Sequence, residues 1–241
     1  LSPRDLASLS RLDRAINSEL RGYFGRMFAI NRLLAPFFAH TDEFREVQSR
    51  TGALVSGSTA LQLFDRTRYA HADLDVYVEY RYALQIVQHI CEREQYGFQP
   101  RRPYCETPDE TIGMAIMHPT SYSSYNTAGI AAVLDFAREG QRVQVIVSYR
   151  SPMDVILNFH SSCVMNVITH SKAYSLFPQL TFEKRLSRIF AASSSGDFEF
   201  ADVRRKYTDR GFTFVSTVPG DPVQGVVERW VGDSDTWSVP L

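Results

Sequence analysis

Residues 53–79 read ALVSGSTALQLFDRTRYAHADLDVYVE, and their pattern decides the fold. Ala53 to Ser56 is a short apolar run, Thr59 to Asp65 has helical spacing, and Asp73 to Glu79 alternates polar and apolar residues with period two. The reading is strand, helix, strand. Side chains alternate across a strand, so Asp73 and Asp75 share one face with Tyr77 and Glu79, and Leu74, Val76 and Val78 face the core. Two carboxylates two residues apart repel unless cations compensate them, and Mg²⁺ takes such oxygens and keeps positions open for phosphates. Upstream, Gly57 permits close backbone approach to a ligand, and Ser58 and Thr59 at a helix start offer N–H and hydroxyl groups to a phosphate.

Gly57-Ser58 followed by Asp73-x-Asp75 resembles the signature of the nucleotidyltransferase superfold, which includes DNA polymerase β, CCA-adding enzymes and aminoglycoside nucleotidyltransferases. The resemblance covers about residues 50–150. It implies that Gly57 and Ser58 contact a triphosphate, and that Asp73 and Asp75 ligate Mg²⁺ (or Mn²⁺) for in-line attack by a hydroxyl on the α-phosphate of an NTP. The superfold's third carboxylate falls on a later strand, here Arg142 to Ser148, where alternation puts Gln144 at the expected position. Asp135 is the alternative acid. A two-residue turn at Glu139-Gly140 would set it opposite Gln144 on the same face, whereas a three-residue loop would shift the register. A weaker echo at residues 159–166 matches the helix whose asparagine approaches the nucleotide in CCA-adding enzymes, which makes Asn166 a candidate nucleotide contact.

Outward from this segment the chain reads as α+β, with a mixed sheet of nucleotidyltransferase type and helical additions at both ends. Residues 1–50 form a helical extension: one helix opened by Ser2-Pro3 with apolar positions recurring to Phe24, a second through Ile30 and Leu34 to Pro36, and a third capped by Thr41. Residues 51–190 form the core, with a helix over 81–94 and a partly irregular surface excursion over 96–129. Strands at 130–136 and 142–148 flank the turn, and Ser151-Pro152 opens another helix. Residues 191–241 form a C-terminal extension beyond the small-residue cluster at 191–196. It stays helical to about Arg210, and strands follow at 212–217 and 226–231.

Composition bounds the function. The 241 residues are 44% hydrophobic and 22% charged with net charge −1, an ordinary globular composition without a global positive field, so long nucleic acid is disfavoured. No apolar run approaches the ~20 residues of a membrane-spanning helix. Only Lys172, Lys184 and Lys206 are lysines, so 23 of 26 basic residues are arginine, the better fork for oxyanions. Three cysteines (Cys91, Cys105, Cys163) without framework spacing favour a reducing, cytoplasmic compartment, although the chain begins at Leu1 and not at methionine. His160, Cys163 and His170 fit no closed zinc pattern. Arg204-Arg205-Lys206 reads as a solvated face. The expected function is NMP transfer from an NTP to a hydroxyl of a small molecule, RNA or protein. A catalytically degenerate nucleotide- or protein-binding module is the alternative that Gln144 motivates, and an Asp-x-Asp glycosyltransferase stands behind both.

Overall fold

A computed structural model describes residues 13–70, 72–101, 105–118, 129–190, 198–217 and 230–241, together with Asp5 and Leu9. In chain order the helices are α1 (Arg14–Met27), α2 (Ile30–Leu34), α3 (Thr41–Thr51), α4 (Gly57–Asp65), α5 (Ala83–Gln88), α6 (Pro108–Met117), α7 (Pro152–Leu157) and α8 (Phe198–Asp209). The strands are β1 (Leu54–Ser56), β2 (Leu74–Glu79), β3 (Gly97–Gln99), β4 (Ile130–Arg138), β5 (Gln141–Ser148), β6 (Asn166–Ile168), β7 (Lys172–Ser175), β8 (Leu186–Arg188), β9 (Thr213–Val215) and β10 (Trp237–Pro240).

Eight strands form one mixed sheet in the order β10-β7-β6-β1-β2-β5-β4-β3. β2 and β5 are parallel and the other neighbours antiparallel, so the fold is α+β with a mixed sheet. Leu74, Val76 and Val78 are fully buried in the main core with Val143, Val145 and Val147, beneath α2, α3 and α5. On the opposite face Tyr77 and Ile146 pack with Val155 and Ile156 of α7. The N-terminal helices are tied to the sheet by Glu94, whose buried carboxylate accepts from the Ala39 and His40 N–H groups at 2.7 and 2.8 Å and meets Arg138 at 3.5 Å.

Several expectations need correction. The first helix does not run unbroken from Ser2, because Asp13 adopts extended backbone and caps α1 with its carboxylate. The excursion at 96–129 contains edge strand β3 and helix α6. The latter has a full capping box between Thr107 and Glu110, a local signal that the prolines and tyrosines around it obscured. Residues 158–190, to which the sequence reading assigned no strand, contain short strands β6, β7 and β8 and one-turn helices. Strands this short carry too few residues to show alternation. Thr213–Val215 is a strand, as expected at 212–217, whereas residues 226–229 of the last expected strand lie outside the described residues. β10, which the sequence reading missed, completes the sheet edge beside β7.

Candidate functional site

β1 delivers the chain into α4 through Gly57, whose φ of +65° disfavours any residue with a Cβ. Ser56 pairs in register with Asp75, which brings the turn against the carboxylate. A Cβ on Gly57 would lie 2.1 Å from Asp75 Oδ2, so glycine is required by close approach as well as by backbone conformation. Ser56 precedes α4 but does not cap it, because its hydroxyl donates to the Asn166 carbonyl at 2.7 Å. The first N–H groups of α4 therefore lack a side-chain cap, and the positive end of the helix dipole faces the same corner as Asp75.

Asp75, Gln144 and Asp135 lie in one row across β2, β5 and β4: Asp75 pairs with Gln144, and Gln144 with Asp135. The row exists because Glu139 and Gly140 form the two-residue turn, both with positive φ (47° and 82°). Gln144 is the immediate neighbour of Asp75, and Asp135 is one strand further away. Burial, and then the Asp73 charge, push the Asp75 carboxyl up to about 7, with Lys206 opposing the rise and Asp135 adding to it. Asp135 goes the other way. Burial works against its ionisation, but hydrogen bonds from Arg101 and Gln144 (2.7 Å) and the charges of Arg101 and Arg142 outweigh it and hold the carboxyl below its ordinary value. Asp135 is thus already compensated by protein groups, and Asp75 is not.

Ser58 is buried, and its hydroxyl accepts from Arg210 Nη1 at 2.9 Å and lies 3.4 Å from the Tyr207 hydroxyl. Thr59 donates to the Asp73 carbonyl at 3.1 Å, so its side chain fixes the approach to β2 and faces no open space. Asn166 sits in strand β6, behind a single 3-10 turn at Ser162–Val164, where the sequence echo implied a helix. It is fully buried, its amide donates to the Cys163 carbonyl at 2.8 Å, and its Oδ1 has no partner among the described residues.

The sequence reading missed the contribution of α8. Lys206 is close enough to lower the Asp75 pKa, burial pushes the Tyr207 phenol well up so that it stays neutral, and Arg210 stacks on Tyr69 and Tyr207 at 4.0 and 5.0 Å from their ring centroids. Arg204, Arg205 and Lys206 are exposed, as expected of a solvated face, and the charge of Lys206 also reaches Asp75. The spacing of Tyr207 and Arg210, three residues apart at a helix end, was the available signal.

Among the described residues no cluster of three or more His, Cys, Asp and Glu could by itself hold a metal ion. The donor set still fits Mg²⁺, which needs only one or two carboxylates when substrate phosphates supply further oxygens. Asp73, just before β2, and Asp75, on it, are hard oxygen donors, and burial together with the Asp73 charge raises the Asp75 pKa, a cost that a bound cation would relieve.

No protein-family model matches the sequence, and comparison with curated proteins gives no match. Solved structures do resemble the chain. A CCA-adding enzyme in its apo form aligns with TM-score 0.49 and 12% identity over 78% of this chain and 43% of its own. A tRNA-processing enzyme, also apo, aligns with TM-score 0.47 and 11% identity over 73% and 44%. The chain therefore spans less than half the length of either structure. Among the described residues no helix is long and apolar enough to cross a membrane.

Proposed function

We propose that the protein is a Mg²⁺-dependent nucleotidyltransferase that moves a nucleoside monophosphate from an NTP to a hydroxyl acceptor, with release of pyrophosphate. The observation that carries this reading is the packing of Gly57 against Asp75. It brings an uncapped helix N-terminus and an uncompensated carboxylate into one corner, with Asp73 two residues away, just before the strand. The N–H groups of α4 suit the phosphates of a nucleotide. Asp73 and Asp75 would hold Mg²⁺, which supplies charge neutralisation at the reacting phosphate. Lys206 and Arg210 add positive charge on the side of Ser58, and there they would orient the triphosphate and stabilise the departing pyrophosphate. Small molecules, RNA and proteins remain the acceptor classes that this chemistry serves.

The test is pyrophosphate release from each NTP with Mg²⁺ and a panel of hydroxyl acceptors, beside Asp73→Asn and Asp75→Asn. Release that either substitution abolishes supports transfer, and release unchanged in both variants removes it. One observation favours a second reading, a nucleotide-binding module without turnover: Gln144, an amide, holds the position beside Asp75 and donates to Asp135. In that case Gln144→Asp should raise Mg²⁺ affinity in a protein whose wild type binds nucleotide and releases no pyrophosphate.

A further inference from the structure

A groove of about 840 Å³ opens beside the site, between the C-terminal end of α1, helix α2, the loop from α4 to β2 and the β4–β5 turn. Its walls carry Arg26, Arg32, Arg66, Arg68 and Arg142, and Asp73 lines the same cavity. All five arginines are exposed. Arg142 has a distant partner in Asp135 at 3.9 Å, and the other four form no ion pair among the described residues. Four unpaired guanidinium groups around one concavity repel one another, and a polyanion is what relieves that repulsion. Arg66 adds a second indication. It ends α4 in the left-handed region with φ of 53°, where glycine is the low-energy residue, so a long cationic side chain occupies a position the backbone would give to glycine.

We propose that this groove is the acceptor subsite, and that the acceptor carries two or more phosphate groups near its reactive hydroxyl. The role of the occupant rests on the nucleotidyl-transfer reading, and the affinity of the groove for phosphates does not. The cavity has the size of a small-ligand pocket, and its open side could equally admit the end of a single strand. Asp73 lies in both the groove and the metal-binding face, so an acceptor held by the arginines presents its hydroxyl where the nucleotide phosphates are bound. The arginines come from three segments far apart in sequence, so no basic run marks the groove.

Two probes separate the sources of phosphate: sodium tripolyphosphate, titrated by calorimetry, and a fluorescein-labelled single-stranded RNA octamer, followed by anisotropy. Both titrations are made in EDTA on the wild type, Arg66→Gly/Arg68→Ala and Arg26→Ala/Arg32→Ala. The first variant keeps a residue suited to its backbone at position 66 and should be no less stable than the wild type. The wild type is expected to bind at least one probe. Octamer binding indicates a nucleic-acid end, and tripolyphosphate alone a small phosphorylated acceptor. Each double variant should weaken binding at least tenfold, and for the octamer should lower the slope of log affinity against log salt by about 1.4, at ~0.7 per lost phosphate contact. Failure of the wild type to bind either probe overturns the proposal, as does undiminished affinity in Arg66→Gly/Arg68→Ala. Binding of a non-hydrolysable NTP analogue with Mg²⁺ is measured on the same wild-type sample. Its absence beside tight tripolyphosphate binding removes the transfer reading and leaves the groove as a phosphate site, whereas its presence without binding of either probe removes the groove.

Discussion

Replacing Asp75 with Asn should stabilise the metal-free protein, and the stabilisation should grow with pH. In the folded chain burial and Asp73 raise the Asp75 carboxyl to about 7 from an ordinary value of 3.8. The folded state therefore holds its proton more tightly than the unfolded state, and stability falls as pH rises between those two values. At pH 8 the full penalty amounts to about 4 kcal/mol at most, and at pH 5 to roughly 1.7 kcal/mol, from 1.36 kcal/mol per pH unit. Asn carries no such penalty. The difference between variant and wild type should widen by about 2.5 kcal/mol from pH 5 to pH 8, or roughly 5–10 °C in melting temperature for a chain of this size. His160 titrates in an overlapping window with the opposite sign: burial lowers it to about 4, so its contribution is lost as pH falls. It is present in both proteins and cancels from the difference. Urea denaturation at four pH values in EDTA makes the measurement. A difference that does not change with pH, or an Asn variant less stable than the wild type by a margin that grows toward pH 8, would refute the reasoning.

Three other outcomes follow from the same structure. Gly57→Ala should destabilise the protein by about 2 kcal/mol or more through the φ of +65° and the contact with Asp75, and Asp75→Ala in the same chain should recover part of that loss in a double-mutant denaturation cycle. Arg101→Met should cost about 1–2 kcal/mol at neutral pH by removing donors from Asp135. The Asp135 pKa is depressed in the fold, so its stabilisation holds above the ordinary carboxylate value and is lost below it, and the cost of Arg101→Met should shrink in melts below about pH 4. Glu94→Ala should cost about 3–5 kcal/mol in urea denaturation, because it leaves two backbone N–H groups without their acceptor and removes the carboxylate beside Arg138, whose guanidinium keeps the Glu94 and Phe37 carbonyls.

The central part of the fold was legible where local signals were strong. Period-two alternation marked Asp73 to Glu79, helical spacing marked α4, and Glu139-Gly140 marked the turn that fixes Gln144 opposite Asp135. The turn was decisive, because one residue of slip would have put Asp135 on the other face. Three-residue strands such as β6 and β8 left no periodic trace, and the echo at 159–166 pointed to a helix where the chain makes a single 3-10 turn before β6. Ser58 was placed correctly at a helix start, but nothing local indicated that Arg210 and Tyr207, some 150 positions later, would reach its hydroxyl. The arginine groove was hidden for the same reason: its charges converge only in three dimensions, and net charge averages them away.

The central claim is that Asp73, Asp75 and the N-terminus of α4 form a metal-dependent nucleotide site. The most direct measurement is a calorimetric titration of the protein with each of the four non-hydrolysable NTP analogues, in Mg²⁺ and in EDTA, beside Asp73→Ala/Asp75→Ala. The account predicts binding of at least one analogue that requires Mg²⁺ and is lost in the double variant. Absence of binding to the folded wild type, or binding that survives both EDTA and the double substitution, would contradict it.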